Sequence, residues 1–418
     1  MSEEMKALRE QLLRNDKNGY DTLDEAQLAE MEAYCADYKA FLNAGKTERL
    51  SARAAIAAAE AKGFVQYKRG MALKAGDKVY TCNRGKGLML AVIGKESLVE
   101  GAQIAAAHID SPRLDLKPTP LYEDSEMAYF KTHYYGGIRK YQWVTIPLQL
   151  RGVVAKKDGS VVDVCIGEAG EPQLVITDLL PHLGGEQGRK PLNEAVPGET
   201  LNLLVGSRPI GDSEDKDRVK LHVMKRLHDK YGITESDFAS AELEAVPAAE
   251  AVDIGIDGSM IGSYGHDDRV CGYAALRALL DVGQVQKTAV CLLVDKEEIG
   301  SVGATGMASQ FFENTVAEIM TLAGENSPLA LRRALAHSRM LSSDVSAGFD
   351  PGYAGKFETK NAAFMGRGLC FNKYTGSRGK GGSNDADAEY VALIRDIMDE
   401  AGVDFQTCEL GRVNAGGG

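Results

Sequence analysis

Residues 289–301 read AVCLLVDKEEIGS, and this stretch decides the expected fold. An apolar run of strand length ends there in consecutive charged residues, which is typical of a strand buried inside a sheet. Strand-like and helical segments alternate around it, through Ala289–Val294, Ser309–Phe312, Met340–Ser343 and Ala386–Glu400. This alternation predicts an α/β fold, with an open sheet and helices on both of its faces.

The first part of the chain continues the same pattern. Apolar residues recur at spacings of three and four along Asp21–Asn43, which predicts a helix. A second helix is expected over Ser51–Lys62, with Ser51 as its N-cap. Three strands are predicted to follow, at Lys78–Cys82, Leu88–Ile93 and Gln103–Ala107.

The middle of the chain differs from both ends. It is rich in β-branched and aromatic residues, and strands are expected at Tyr141–Gly152, Val161–Ile166 and Leu174–Thr177. A helix near Arg218–Lys230 is the exception. We therefore predict an inserted β-rich domain at residues 119–254, which interrupts an α/β domain formed by residues 1–118 and 255–418.

Composition excludes several classes of function. The 418 residues carry 48 basic and 60 acidic side chains, a net charge of −12, which argues against nucleic-acid and anionic-membrane partners. No apolar stretch approaches the roughly 18 residues that span a bilayer, and the N-terminus lacks the apolar core of a secretory signal. The seven cysteines are scattered, which predicts a cytoplasmic, reducing compartment and mostly buried thiols.

Candidate metal ligands begin at the end of the predicted strand QIAAAHID, residues 103–110. On extended backbone, residues two apart share a face, so His108 and Asp110 point the same way. His108 is a candidate metal ligand whose ring Asp110 orients. The alternative is a hydrogen-bonded histidine at a strand end, which is common in proteins.

Three further segments place carboxylates at similar positions. Asp267 and Asp268 precede an apolar helix, where a helix cap is the alternative explanation. Asp344 ends a short strand-like segment, which by itself is weak evidence. Glu297 and Glu298 diverge if the backbone is extended, so one is expected to bind a cation and the other to handle a water proton. A solvated turn is the alternative there.

The set is more informative than its members. In open α/β sheets, ligands bind beyond the carboxyl ends of the strands, where all these residues are expected. One imidazole among several carboxylates suits Zn²⁺, Mn²⁺ or Co²⁺, and a carboxylate that bridges two ions is common in two-metal hydrolases. The sequence has no GxSxG elbow, GxGxxG or P-loop, so serine hydrolases and nucleotide binding are weakly supported.

Five motifs in this order resemble those of the M18 family of metallo-aminopeptidases, typified by aspartyl aminopeptidase: AAHIDSPRLDLKP, GHDDRVCGYAA, DKEEIGSVGATG, SSDVSAGFDP and NKYTGSRGKGGSND. The resemblance implies a catalytic α/β domain of the zinc-exopeptidase type and an inserted β-rich domain used in subunit contacts. It also implies homo-oligomers, with dimers building to a dodecamer. The implied activity is removal of N-terminal residues, acidic ones (Asp or Glu), from peptide substrates.

The resemblance also implies a role for each candidate residue. Two divalent ions are expected, zinc first, with manganese or cobalt as alternatives. Their ligands would be His108 and Asp344 on one ion, Glu298 on the other and Asp267 between them. Whether Asp267 or its neighbour Asp268 bridges the ions stays open.

Three more roles follow from the same resemblance. Glu297 resembles the general base, and Asp110 resembles the partner that orients His108. His182 resembles a histidine that reaches the active site of a neighbouring subunit, with a surface-loop histidine as the alternative. Lys373 resembles a lysine near the pocket for the substrate side chain, with an ordinary surface lysine as the alternative.

One alternative function and one missing histidine bear on the expected activity. A catalytically impaired relative that acts as an oligomeric peptide-binding scaffold is the main rival to an enzyme. The family also carries a histidine near its C-terminus as a ligand of the second metal, whereas no histidine follows His337 here. We therefore expect this sequence to be a shortened form of a longer protein, with a weakened second metal site.

Overall fold

The computed structural model describes residues 2–14, 17–325, 327–375, 379–382 and 384–414. Contacts between residues divide the chain into two compact units. The larger unit is Ala36–Asp344, and the smaller combines Met1–Cys35 with Val345–Gly418. The larger unit contains both major sheets and almost every candidate site residue.

The described part of the chain contains the following helices and strands. The helices are α1 (Glu3–Leu12), α2 (Glu25–Ala44), α3 (Glu48–Ala61), α4 (Leu192–Ala195), α5 (Arg218–Tyr231), α6 (His266–Asp281), α7 (Phe311–Leu322), α8 (Pro328–His337) and α9 (Ala388–Ala401). The strands are β1 (Val65–Gln66), β2 (Lys78–Asn83), β3 (Gly87–Val92), β4 (Gln103–His108), β5 (Arg113–Asp124), β6 (Met127–Tyr135), β7 (Leu148–Ala155), β8 (Val161–Ile166), β9 (Leu203–Gly206), β10 (Ala241–Pro247), β11 (Val252–Ile254), β12 (Met260–Gly262), β13 (Ala289–Val294), β14 (Arg339–Ser342), β15 (Leu369–Asn372) and β16 (Phe405–Cys408).

The first sheet has the strand order β1-β2-β3-β13-β4-β14. Strand β4 lies between β13 and β14 and pairs in parallel with both, with Val294 of β13 opposite His108 of β4. Since parallel strands end at the same edge, the residues that follow β4, β13 and β14 gather there. This edge carries the candidate site.

Helices cover both faces of the first sheet. Side chains alternate between faces along a strand, so Leu88 and Leu90 of β3 pack with α3 and α6, whereas Met89 packs with α7 and α8 on the other face. Helix α6 approaches the sheet closely at Gly272, where a Cβ atom would lie 3.4 Å from Ile109. The predicted open α/β sheet with helices on both faces is confirmed.

Several local predictions are wrong. The strand expected at Leu174–Thr177 forms only isolated bridges, because Leu174 pairs with Leu148 whereas Val175 pairs with Leu204, so neither pairing extends into a ladder. Helix α3 begins at Glu48 rather than Ser51, because the side chain of Thr47 caps it by accepting a hydrogen bond from the Leu50 amide. The Ser51 hydroxyl instead donates to the carbonyl of Gly45. The strand expected over Tyr141–Gly152 starts only at Leu148, since Thr145 has a φ of 65°, which extended backbone does not adopt.

The second sheet is antiparallel throughout, with the order β8-β7-β10-β5-β6-β9. Its strands lie between Arg113 and Pro247. The first of them, β5, follows β4 of the first sheet after a short turn. Phe130 and Phe238 meet edge to face in its core, and α5 buries Val219 and Leu227 there. The boundaries 119–254 and a role in assembly stay predictions.

The smaller unit contains the parallel pair β15 and β16 and helix α9. This pairing brings together Cys370 and Cys408, which are joined as a disulfide. The expectation of mostly buried, unpaired cysteines is therefore wrong, because strand pairing links residues that are remote in sequence. Of the five cysteines outside this disulfide, only Cys291 is buried. Among the described residues, no helix is both long enough and apolar enough to cross a membrane.

Candidate metal centre

The candidate centre forms where three parallel strands end. His108 is the last residue of β4, Glu297 and Glu298 follow β13, and Asp344 follows β14. The start of α6 brings Asp267 and Asp268 to the same edge, where the Ser111 hydroxyl donates to the Asp267 carbonyl at 2.6 Å. Sheet topology thus brings together six of the residues that the sequence singled out.

The ring of His108 is oriented by its own strand end. Its Nδ1 lies 3.0 Å from the backbone oxygen of Asp110 and 3.3 Å from the Oδ1 atom of Asp110, so this nitrogen carries the proton and donates. The Nε2 atom therefore faces the carboxylates and, once it has lost its own proton, offers its lone pair to a cation. Among the described residues it is buried and makes no hydrogen bond.

Carboxylates surround this nitrogen. His108 Nε2 lies 3.1 Å from Asp267 Oδ1, 3.8 Å from Glu297 Oε2 and 3.9 Å from Asp344 Oδ1. A buried imidazole nitrogen that is close to several carboxylate oxygens matches, in its deprotonated form, the needs of a divalent ion. The mixed nitrogen and oxygen donors suit zinc, manganese or cobalt.

Two overlapping donor sets share His108. One contains Asp267 and Glu298, the other Asp268 and Asp344, and in each the donor atoms lie within 4.8 Å of one another. Asp268 is completely buried, and neither of its carboxylate oxygens has a hydrogen-bond partner in the described chain. Both acids therefore face the centre, so the geometry leaves open which of them bridges two ions.

Asp110 connects the ring of His108 to the turn after β13. Its Oδ1 accepts a hydrogen bond from the Glu297 amide, and its Oδ2 accepts hydrogen bonds from the Glu298 amide and from the Tyr135 hydroxyl. Burial would raise the pKa of Asp110, but the hydrogen bonds from His108 and Tyr135 outweigh it and hold the pKa below its usual range. Asp110 is therefore a buried, charged anchor.

The turn after β13 is tightly curled. Asp295 accepts hydrogen bonds from the Lys296 amide at 2.8 Å and the Thr305 hydroxyl at 2.5 Å, and Lys296 has a φ of 68°. Glu297 and Glu298 then form a single helical turn. The premise of extended backbone here is wrong, and the curl lets both side chains reach the centre, with Glu297 45% exposed.

Burial, with the charge of neighbouring acids, raises the pKa values of Asp268, Glu297 and Glu298. Burial, followed by the charge of Asp267, raises the pKa of Glu298 to about 7. Burial also raises the pKa of Asp268 to about 8 and that of Glu297 above its ordinary range. Burial alone would lower the pKa of His108, but the surrounding carboxylates outweigh it and raise that pKa. So much negative charge in one place favours a bound cation.

Two predicted site residues lie elsewhere. His182 lies in an exposed turn, and none of the contacts described around His108 involves it. Lys373 is exposed in the smaller unit, where it lines a cavity of about 720 Å³ together with Arg14, Arg367 and Arg395. Sequence reasoning missed Tyr135, whose position on β6 gave no local signal of a contact with Asp110.

The fold and the donor set define a metalloenzyme centre at the carboxyl edge of an open α/β sheet. Residues 41–418 match the family described as Aminopeptidase I zinc metalloprotease (M18). A probable M18 family aminopeptidase 1 from Clostridium acetobutylicum is 52% identical over 412 residues, 97% of this chain and 89% of the relative.

Solved structures agree with this match. An M18 aminopeptidase from Thermotoga maritima superposes with a TM-score of 0.92 at 40% identity, covering 97% of this chain and 89% of that one. The mApe1 dodecamer from Saccharomyces cerevisiae, at 19% identity and a TM-score of 0.71, shares the fold, over 90% of this chain and 84% of its own. The chain belongs to the M18 family and is a metallo-aminopeptidase, a hydrolase that acts on peptide bonds. No finding supports the inactive scaffold.

Proposed function

We propose that this aminopeptidase removes acidic N-terminal residues from peptides with the help of two divalent ions, zinc in the first place. The observation that carries the two-ion part is the buried His108 Nε2, which makes no hydrogen bond in the described chain and faces three carboxylates. In its neutral form, an imidazole nitrogen in such surroundings lacks a partner for its lone pair unless a cation binds.

Each ion has its own residues in this proposal. His108 and Asp344 would hold one ion, Glu298 would hold the other, and Asp267 would be shared. Asp267 is preferred over Asp268 as the shared ligand because its Oδ1 is 3.1 Å from His108 Nε2 and its side chain is half exposed toward solvent. When bound, the ions polarise the carbonyl of the scissile peptide and lower the pKa of water.

Glu297 is the proposed general base. Its carboxylate lies 3.8 Å from His108 Nε2, and its backbone is fixed by the hydrogen bond to Asp110. The carboxylate accepts a proton from the attacking water while the water oxygen bonds to the carbonyl carbon. Glu297 then returns this proton to the leaving amine nitrogen as the C–N bond breaks, which restores the carboxylate.

The preference for acidic residues rests on Lys373. An ammonium group attracts the carboxylate of an Asp or Glu side chain and gives no such advantage to an apolar one. Lys373 is exposed and therefore accessible to a ligand. Its role in this chain is inferred from the motif NKYTGSRGKGGSND, which resembles the family pattern around this lysine.

We also propose that the protein is a cytoplasmic homo-oligomer in which residues 119–254 make subunit contacts and His182 reaches a neighbouring active site. Leu179, Leu180 and Leu183 flank His182 and are each more than half exposed. Contact with a second copy would remove this apolar surface from water. The yeast mApe1 dodecamer, a solved structure with the same fold, supports such an assembly.

A substrate panel after metal removal tests the proposal. The protein is stripped with a chelator, reloaded with Zn²⁺, Mn²⁺ or Co²⁺, and assayed on p-nitroanilides of Asp, Glu, Leu and Lys. We expect no turnover in the stripped protein, recovery on reloading, and the highest kcat/KM for Asp and Glu. Full activity without metal would contradict the metal centre, whereas a preference for Leu or Lys would contradict only the role of Lys373.

A further inference from the structure

We propose that Tyr135 is a positioning residue of the metal centre, which sets metal affinity through Asp110 and is itself held by Arg113. The inference rests on the proposed binding of a metal at His108. Tyr135 ends β6 of the second sheet, is 7% exposed, and donates its hydroxyl to Asp110 Oδ2 at 2.7 Å. It therefore reaches the centre from a different sheet.

The hydroxyl matters because the Asp110 carboxylate is shared. Oδ1 lies against the His108 ring and the Glu297 amide, while Oδ2 accepts from the Glu298 amide at 3.3 Å as well as from Tyr135. Asp110 is completely buried, so no solvent can replace a lost donor. Without the phenol, the carboxylate is freer to rotate, and both the ring and the turn lose a fixed partner.

Arg113 fixes the ring of Tyr135. Its guanidinium carbon lies 3.8 Å from the ring centroid, close enough for a strong cation–π contact. The guanidinium is 2.8 Å from Asp115 and 3.4 Å from both Glu48 and Glu244. Glu48 belongs to α3, which packs on the first sheet, and Glu244 belongs to β10 of the second. Arg113 therefore holds Tyr135 in place relative to both layers.

Gly136, the residue after Tyr135, also lies against the metal centre. Gly136 has a φ of 71°, and a Cβ atom at this position would lie 3.1 Å from Glu298 Cβ and 3.2 Å from Glu298 Oε2. The absence of a side chain thus leaves room for the carboxylate of Glu298. The end of β6 consequently contacts two parts of the centre, Asp110 through Tyr135 and Glu298 through Gly136.

The test compares Tyr135→Phe with Tyr134→Phe, a matched control that removes the hydroxyl of the neighbouring, 43% exposed tyrosine. Zinc dissociation constants are measured by competition with a chelator. We expect Tyr135→Phe to weaken zinc binding by about tenfold, the lower end for residues that orient metal ligands, and Tyr134→Phe to stay within about twofold of wild type. An unchanged dissociation constant in Tyr135→Phe would overturn the proposal.

Thermal unfolding separates positioning from a merely structural role. We expect Tyr135→Phe to reduce the increase in Tm that zinc gives, because that increase follows from affinity. An equal fall in Tm with and without zinc, at unchanged affinity, would show that Tyr135 only stabilises the fold.

The route through Asp110 is tested by a double-mutant cycle. If Tyr135 acts through Asp110, Tyr135→Phe should weaken zinc binding far less in an Asp110→Asn background than in wild type. If Tyr135→Phe weakens zinc binding as much in Asp110→Asn as in wild type, Tyr135 does not act through Asp110. A wild-type protein that binds no zinc would instead contradict the proposed function, so the two failures are distinguishable.

Discussion

The backbone amide of Glu297 donates a hydrogen bond to Asp110 Oδ1, with 3.2 Å between the two atoms. The two residues are remote in sequence, and the parallel pairing of β4 with β13 brings them together. Asp110 thus aligns His108, on its own strand, with the carboxylates that follow the neighbouring strand. This hydrogen bond explains how the short helical turn after β13 can hold two glutamates at a fixed place.

Glu297→Gln should keep the metal and lose turnover. The amide is nearly isosteric with the carboxylate but cannot accept the water proton, so we expect kcat to fall by at least about a hundredfold. Metal content by elemental analysis should match wild type. Glu313→Gln, an exposed acid on α7, is the matched control and should retain full activity. Near-wild-type turnover in Glu297→Gln would show that another group moves the proton.

Zinc affinity should fall with decreasing pH. In the metal-free centre the pKa of Glu298 is raised to about 7, so below pH 7 zinc must displace a proton from this carboxyl. Each displaced proton lowers the apparent affinity by about tenfold per pH unit below that pKa. In Glu298→Gln, the plot of log zinc affinity against pH should have a slope between pH 5 and 7 that is smaller by about one displaced proton. Parallel slopes in the two proteins would mean that Glu298 does not titrate there.

Lys373→Ala should change substrate preference rather than overall activity. Loss of the ammonium removes an electrostatic attraction that only acidic substrate side chains make. The kcat/KM for Asp and Glu p-nitroanilides should therefore fall by about tenfold or more, and that for the Leu p-nitroanilide by less than about twofold. Lys380→Ala, which removes a nearby half-exposed ammonium, is the control and should not change the preference. A uniform loss over all substrates would identify Lys373 as structural.

Mixed oligomers should reveal whether His182 acts across an interface. His182→Ala and Glu297→Gln are each expected to be inactive, but after subunit exchange some sites combine an intact Glu297 with an intact His182 from a neighbour. Activity should therefore reappear in the mixture. If exchange is verified by mass and no activity returns, His182 works within its own subunit or has no catalytic role.

Sequence patterns located the candidate centre because its candidate ligands end or follow apolar strands or begin a helix. His108, Asp267, Glu298 and Asp344 could all be recognised in this way, and parallel pairing then brought them to one edge. This part was predictable since period and polarity are local properties of a sequence.

The remaining features depend on contacts that local patterns do not encode. The curl at Lys296 requires a positive φ at a lysine, which the sequence does not signal, and it reversed the expectation that Glu297 and Glu298 diverge. Thr47 rather than Ser51 caps α3, because the Ser51 hydroxyl donates to the Gly45 carbonyl and accepts a hydrogen bond from Arg269. Tyr135 escaped notice because its partner, Asp110, lies in the turn between β4 and β5, remote from Tyr135 in sequence.

The proposed function depends on a metal ion that binds His108 at this edge of the sheet. The most direct test is zinc bound per chain, measured by elemental analysis after equilibrium dialysis, for wild type, His108→Ala and the exposed-histidine control His337→Ala. We expect wild type and His337→Ala to bind zinc equally, and His108→Ala to lose bound zinc together with peptidase activity. Equal zinc content in all three proteins, with activity intact in His108→Ala, would contradict this proposal.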